Sequence, residues 1–105
     1  MLIACTTIGT PGEAERLAAE TIARGLAACV EISDVVSHYR WQGRQERSEE
    51  LRLAFKCLES QLAALEGYVL AQHPYETPQW IVLKVERVSE KYLSWARAAG
   101  TTSTL

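Results

Sequence analysis

The chain has 105 residues, 48% of them hydrophobic, and a formal net charge of −2 at pH 7. This length suits one domain, residues 1–105, with a single hydrophobic core. The slightly acidic balance gives no electrostatic attraction to nucleic acid or to an anionic membrane, and no apolar run approaches the roughly 20 residues that cross a bilayer. Three cysteines without close spacing argue against a disulfide framework and favour a reducing cytoplasm.

The first third of the sequence predicts a strand, a helix and a second strand. Residues 1–8 are an apolar, β-leaning opening. Thr10 and Pro11 then predict a helix start, as N-cap and first-turn proline, and Gly25 predicts its end. The apolar run 26–32 reads as another buried strand. Two strands joined by one helix in this way form a βαβ unit and lie parallel, with a right-handed crossover.

The middle of the chain predicts a long β-hairpin. Ser33-Asp34 indicates a bend, after which residues 35–42 alternate between two faces. Gln42-Gly43 is a turn signal, and the apolar residues of 51–57 alternate on the returning strand. Each arm is longer than the usual strand of about five or six residues. A small domain would struggle to cover such arms, so we expect another subunit to cover them.

The last third predicts a helix, a strand and a short helix. Residues 58–72 have helical spacing, and 80–86 are apolar enough for a fourth strand. A third helix starts at Ser89-Glu90 and ends at Gly100, and the tail to Leu105 is expected to fray. The order βαβ-βαβ-α predicts an α+β, ferredoxin-like fold with a long β-hairpin and a short C-terminal helix.

The segment from His73 to Pro78 places an imidazole, a phenol and a carboxylate between the second helix and the fourth strand. Pro74 and Pro78 make this connector rigid. A polar cluster on a rigid connector is typical of a functional loop. The alternative is a plain junction in which His73 and Tyr75 only cap and pack.

Cys5 and His73 are the candidate metal ligands. Cys5 is predicted near the end of the first strand, where open α/β sheets gather ligands. A thiolate and an imidazole suit copper or zinc, although two ligands fall short of a closed four-ligand site. The alternative is a buried thiol and an unliganded histidine. Cys29 and Cys57 fit buried apolar positions, and His38 is expected to point outward.

No catalytic signature is present, because the sequence lacks a glycine-rich phosphate loop and a Gly-x-Ser-x-Gly elbow. Three motifs nevertheless occur in order: Leu26-Ala27-Ala28-Cys29-Val30, Ser37-x-Tyr39-x-Trp41-x-Gly43 and His73-Pro74-Tyr75-Glu76-x-Pro78. Together they resemble the CutA proteins, named for divalent-cation (copper) tolerance. The resemblance extends from Thr6 to about Trp95.

The resemblance implies a ferredoxin-like subunit in a homotrimer whose architecture is similar to that of PII signalling proteins. It implies that the hairpins pair between neighbours, which would remove exposed sheet edges. It also implies binding of Cu(II) or another divalent cation through Cys5 and His73, with no organic cofactor. Large aromatic residues are common interface anchors. The candidates for the trimer interface are Tyr39, Trp41, Trp80 and Trp95.

The sequence departs from the family pattern at four positions. Gln72 stands where some relatives have a second histidine, which weakens the implied metal site. Gln79 stands where the family usually has a glutamate, so this chain has no carboxylate directly after Pro78 to take part in a site. Glu31 stands for the usual asparagine, and Cys57 for the usual threonine.

Four functions are therefore considered. The leading hypothesis is a cytoplasmic homotrimer that acts in divalent-metal response by binding rather than catalysis. The alternative is a PII-like sensor that binds a small anion or nucleotide between subunits, through Arg40, Arg44 or Lys56. An acyl-phosphate hydrolase ranks last, because the loop 8–12 lacks the arginine that such chemistry needs. A purely structural role, in which the aromatic residues only stabilise the trimer, stays open.

Overall fold

The computed structural model describes residues 1–99. The strands are β1 (Leu2–Ile8), β2 (Cys29–Trp41), β3 (Arg44–Cys57) and β4 (Ile81–Lys84), and the helices are α1 (Pro11–Ala23), α2 (Leu62–Gln72) and α3 (Glu90–Ala99). The strands form one sheet in the order β2-β3-β1-β4, and every neighbouring pair is antiparallel. Because β1 and β2 both run antiparallel to β3, they are parallel to each other. The α+β, ferredoxin-like prediction is confirmed.

Helix α1 begins and ends as the sequence predicts. The Thr10 hydroxyl accepts a hydrogen bond from the Glu13 backbone N–H at 3.4 Å, and Pro11 is in the first turn. At the other end Gly25 has φ of 70°, a left-handed conformation that glycine adopts without a steric penalty. These local signals fix the length of α1 and return the chain to the sheet for β2.

The hydrophobic core lies between the sheet and helices α1 and α2. Alternation sends every second residue of β1 and β3 toward the helices, where Leu53 and Phe55 are fully buried. Leu17 of α1 and Leu65 of α2 meet them from the other layer. The core residues are Leu2, Ala4, Ile8, Ala14, Leu17, Ala27, Leu53, Phe55, Cys57, Leu65 and Val69.

The β2–β3 hairpin is longer and straighter than predicted. The bend at Ser33-Asp34 is wrong, because both residues pair with β3, opposite Arg52 and Leu51. Ladder pairing outweighs the weak strand propensity of serine and aspartate here. The turn is confirmed, since Gln42 and Gly43 have φ of 49° and 77°. The hairpin gives the protomer an elongated shape of 49 × 27 × 22 Å.

Three other element bounds differ from the prediction, the first being that β2 begins at Cys29 rather than at residue 26. The helix predicted from residue 58 starts instead with a 3₁₀ turn, Glu59–Gln61, and becomes α-helical at Leu62. The Gln61 side chain accepts a hydrogen bond from the Leu58 N–H at 2.8 Å, which fixes this entry. Strand β4 covers Ile81–Lys84 rather than 80–86. The predicted stop at Gly100 and the frayed tail lie outside the described residues.

The side of the sheet opposite α1 and α2 is called the second face here. Alternation places Cys5 and Thr7 of β1 on this face, together with Ile81 and Leu83 of β4. Ile81 is 49% exposed and Leu83 47% exposed, which is unusual for paired strand residues of this size. Among residues 1–99, none of the helices has the length and apolar character needed to cross a bilayer.

Candidate functional site

The connector between α2 and β4 is anchored to β1 by His73. The residue ends α2 in an extended conformation, φ −74° and ψ 132°, as its place before Pro74 requires. Its Nε2 lies 2.8 Å from the Thr7 carbonyl oxygen, and its Nδ1 accepts from the Tyr75 N–H at 3.2 Å. A carbonyl oxygen only accepts, so Nε2 carries the proton and Nδ1 is the acceptor. The geometry therefore assigns one neutral tautomer and uses both ring nitrogens.

Tyr75 ties the same connector to β3. Its hydroxyl donates to Glu50 Oε2 at 2.9 Å, and its ring meets the His73 ring edge-on at 4.7 Å between centroids. Burial, and then the Glu50 carboxylate, raise the pKa of the Tyr75 phenol. A Cβ atom at Gly9 would lie 3.2 Å from the Tyr75 hydroxyl oxygen, so a small residue at position 9 lets the phenol sit there.

A cavity of about 740 Å³ opens between this connector and the hairpin. Tyr39 and Trp41 of β2 form one wall, and the Tyr39 hydroxyl is fixed by a 2.8 Å hydrogen bond to Ser48 Oγ across the hairpin. The cavity is lined by Thr7, Ser37, His38, Tyr39, Trp41, Glu50, Tyr75, Glu76, Thr77, Pro78 and Gln79. We take this cavity as the candidate site, because the predicted functional segment 73–78 forms one side of it.

The electrostatics of the cavity are acidic. Glu50 and Glu76 line it, and none of its lining residues is lysine or arginine. The three basic residues predicted to hold an anion lie elsewhere. Lys56 pairs with Glu31 at 3.0 Å, which raises the pKa of the lysine. Arg40 and Arg44 flank the hairpin turn. An anion would therefore meet carboxylates in this cavity rather than cations.

Cys5 does not lie near the end of β1, as predicted, but in the middle of it. It pairs with Ala54 of β3 on one side and with Ile81 of β4 on the other. The thiol is 2% exposed, and its Sγ accepts a hydrogen bond from Arg52 Nη2 at 3.4 Å. Strand β1 ends at Ile8, where the sequence also predicts its end, so Cys5 lies three residues before that end and its side chain is covered by neighbouring strands.

The other cysteines and His38 are close to their predicted environments. Cys57 is fully buried, and burial raises the pKa of its thiol. Cys29 is half-buried rather than buried, because it lies on the second face opposite Lys56. His38 is exposed. The thiols of Cys5, Cys29 and Cys57 are all free.

The four predicted interface aromatics fall into two groups. Tyr39, Trp41 and Trp95 are 44%, 41% and 48% exposed, so each offers a large apolar surface. Trp80 instead packs in its own protomer, where it contacts Phe55 and donates from Nε1 to Glu66 at 2.9 Å. Its interface role stays a prediction.

Comparison with known proteins decides the family. The sequence model of the family described as CutA1 divalent ion tolerance protein matches residues 2–99. The chain belongs to this family. The divalent-cation tolerance protein CutA of Yersinia pestis (strain Pestoides F) is 35% identical over 99 residues, covering 93% of this chain and 83% of the relative.

Solved structures of the family have the same fold. CutA from Synechococcus elongatus PCC7942 superposes with a TM-score of 0.92 at 39% identity, covering 95% of this chain and 89% of that one. The PII-like protein CutA from Nostoc sp. PCC 7120, in apo form, gives 0.90 at 27% identity, covering 97% and 99%. Family membership and the likeness to PII-like structures, both expected from the motifs, are confirmed.

The family description raises the question of whether the residues present fit a divalent ion. The Arg52 guanidinium donates to Cys5 Sγ, and its positive charge opposes a cation there. Both ring nitrogens of His73 are in hydrogen bonds. Within residues 1–99, no group of three or more His, Cys, Asp or Glu side chains is placed to hold a metal. As arranged in one protomer, the donors do not fit a bound ion, and metal binding at Cys5 and His73 stays a prediction.

Sequence reasoning missed Glu50, Thr7 and Arg52 as members of the site. The β2–β3 register could have found Glu50, because it faces Val35 and so shares a face with Tyr39 and Trp41. Nothing in the sequence indicates a role for Thr7, because a threonine within an apolar strand is expected only to pack. Thr7 belongs to the site because the 73–79 connector returns to β1, where His73 bonds to the Thr7 carbonyl.

Proposed function

We propose that this protein is a cytoplasmic homotrimer that contributes to divalent-cation tolerance by binding a ligand rather than by catalysing a reaction. The observation that carries the proposal is the incomplete burial of the second face and of the hairpin in a single protomer. The family description supports the link to divalent cations. The free thiols of its three cysteines suit a reducing compartment.

The hairpin supports self-association because about half of its length lacks a third strand. Strand β1 pairs with β3 only as far as Leu51, so within residues 1–99 the segments 44–50 and 35–41 pair only with each other. An isolated two-stranded hairpin is marginally stable in water, and its open edges invite pairing with another chain. Neighbouring copies that extend each other's sheets would resolve both problems.

The second face supports the same conclusion through its apolar exposure. Ile81 and Leu83 on β4, and Trp41 next to the hairpin turn, each expose apolar area to water, which is unfavourable. Burying the exposed half of each aliphatic side chain contributes on the order of 1 kcal/mol per residue. Three copies that bring these faces together repeat that gain at each interface.

Sedimentation equilibrium on the purified chain tests the assembly. The proposal expects a single species of three times the 11.7 kDa of one chain. A folded monomer at micromolar concentration would contradict it. Metal analysis of the same preparation, followed by copper(II) titration, tests whether the protein binds a divalent cation, and this test is separate from the test of assembly.

A further inference from the structure

We infer that the cavity between the hairpin and the 73–79 connector receives the hairpin tip of a neighbouring copy, whose arginines pair with Glu50 and Glu76. The hairpin tip is defined here as residues 40–44, at the turn between β2 and β3. The inference rests on the proposed homotrimer and adds to it which surfaces meet. It stands on the charges of the two surfaces, on the reach of the hairpin and on the kind of interface that a threefold assembly requires.

The hairpin tip is basic. Arg40 and Arg44 flank the turn, and residues 40–44 include no acid. Every residue of the tip is exposed, and within residues 1–99 neither arginine forms a salt bridge. Arg44 pairs with Trp41 across the hairpin, so a guanidinium and an indole ring share one face of the tip. Arginine and tryptophan are among the residues that contribute most to binding at protein interfaces.

The cavity carries the opposite charge. Glu50 and Glu76 line it, and its lining includes no lysine or arginine. The Tyr75 hydroxyl that donates to Glu50 Oε2 is neutral, so this bond leaves the charge of the carboxylate in place. Within residues 1–99, neither carboxylate forms a salt bridge. The cations missing from the cavity of a lone protomer are those that a neighbouring hairpin tip would bring, as charge-assisted hydrogen bonds from guanidinium to carboxylate.

The geometry of the hairpin directs its tip to another copy. Arg44 and Glu50 lie at opposite ends of the segment 44–50 of β3, which is roughly 20 Å long, and an arginine side chain is much shorter than that. Arg44 therefore does not reach the Glu50 of its own chain. The same segment carries the tip beyond Leu51, the last residue of β3 that pairs with β1, so the tip projects from the body of the protomer.

A ring of three copies needs two different surfaces on each chain. A threefold axis makes every interface head-to-tail, so each copy offers one surface to the next copy and receives another from the previous one. The hairpin tip and the cavity are two such surfaces, and they are opposite in charge. Electrostatic complementarity of this kind fixes which surfaces meet and disfavours other arrangements.

The receiving surface is held in shape within its own protomer. The connector is fixed to the sheet by the bond between His73 and the Thr7 carbonyl and by the bond from Tyr75 to Glu50. The Gln79 carbonyl also accepts from the Thr6 hydroxyl at 2.6 Å. Docking of a tip then requires little ordering of the connector, which favours association.

An exchange of charges between the two surfaces tests the inference. Sedimentation equilibrium at low salt, in a urea concentration that partly dissociates the wild-type trimer, compares wild type with Arg44→Glu, Glu76→Arg and the variant that carries both changes. Each single reversal places like charges at every interface, so we expect the trimer dissociation constant to rise by at least about tenfold. The double variant restores opposite charges and should recover most of the wild-type affinity. Glu76 is used because it is exposed and its replacement leaves the bond from Tyr75 to Glu50 in place.

The matched control combines Arg44→Glu with Glu15→Arg. It has the same net charge as the exchanged pair, but Glu15 is an exposed residue of α1, on the helix side of the sheet. This control should dissociate like Arg44→Glu alone. If circular dichroism without urea shows that a reversal prevents folding, Arg44→Gln and Glu76→Gln replace the reversals. Their effects should then be non-additive, because either change already removes the pair.

Failure of the docking and failure of the assembly give different results. A trimeric wild type whose single reversals do not weaken it would overturn the docking and leave the assembly standing. The same holds if the exchanged pair dissociates as readily as the control, or if the effects of the two neutral variants simply add. A wild-type chain that sediments as a folded monomer without urea would instead overturn the assembly, and the docking with it.

Discussion

The Tyr75 hydroxyl donates to Glu50 Oε2 at 2.9 Å, and this bond joins the connector after α2 to the middle of the β2–β3 hairpin. The two residues are 25 positions apart in sequence. Their contact holds the candidate cavity closed on one side, and it links the connector motif to β3, the returning strand of the hairpin. Several properties of the protein should therefore depend on this pair.

Replacing Tyr75→Phe should lower the free energy of unfolding by about 0.5–1.5 kcal/mol, because one hydrogen bond to a charged acceptor is lost in a partly exposed position. Chemical denaturation monitored by circular dichroism measures the change. Tyr92→Phe is the matched control, since the Tyr92 ring lies over Lys56 and, across residues 1–99, its hydroxyl makes no hydrogen bond. A Tyr75→Phe variant as stable as the control would contradict the assigned role.

The same phenol should make stability depend on alkaline pH. Burial and the Glu50 carboxylate raise the pKa of Tyr75 in the folded state, so the folded chain holds this proton more tightly than the unfolded chain. Its contribution is therefore fully present below the unfolded tyrosine pKa of about 10 and is lost as pH rises above that value. As pH rises above about 10, the free energy of unfolding should fall more in wild type than in Tyr75→Phe. If stability fell equally with pH in the two proteins, ionisation of Tyr75 would not be the cause.

Substitution of Cys5 and His73 tests whether they bind copper(II), because the Cys5 thiol and both ring nitrogens of His73 are in hydrogen bonds within the protomer. If Cys5 and His73 bind the ion, Cys5→Ser and His73→Ala should each weaken binding by at least about tenfold, because even groups that only support a ligand commonly have effects of this size. Calorimetry measures the affinities, and Cys29→Ser is the matched thiol control. Identical weak binding in all variants would remove these residues from the metal site.

The exposed second face should be sensitive to charge. Ile81→Asp places a carboxylate on a surface that the trimer would bury, and burying an unpaired charge is strongly unfavourable. We expect this variant to sediment at a lower mass than wild type. Ile22→Asp is the control, because Ile22 is 43% exposed on α1, on the opposite side of the sheet. If both substitutions lowered the sedimented mass equally, the second face would not be the specific site of assembly.

Local signals in the sequence predicted most of the fold but less of the site. Thr10 and Gly25 bound α1 through their own backbone chemistry, and Gln42-Gly43 fixed the hairpin turn in the same way. Ser33 and Asp34 were misjudged because their conformation depends on pairing with β3, which is remote in sequence. Tertiary contacts likewise decide the surroundings of Cys5. Arg52 reaches its thiol from a neighbouring strand, and no spacing in the sequence indicates that contact.

The family motifs predicted which connector matters, but they did not predict its partners. The segment 73–78 forms one side of the cavity, as a polar cluster on a rigid loop indicates. Thr7 and Glu50, which it contacts, lie on β1 and β3, and no motif in the sequence singles them out. Their roles depend on where the connector returns to the sheet, and that is a property of the folded chain.

One protomer leaves its hairpin and second face incompletely covered, and we propose that three copies assemble for this reason. Sedimentation equilibrium of the full chain across the micromolar range is the decisive measurement. We expect one species at three times the mass of a single chain, with no dissociation over that range. A well-folded species at the 11.7 kDa of one chain would contradict it.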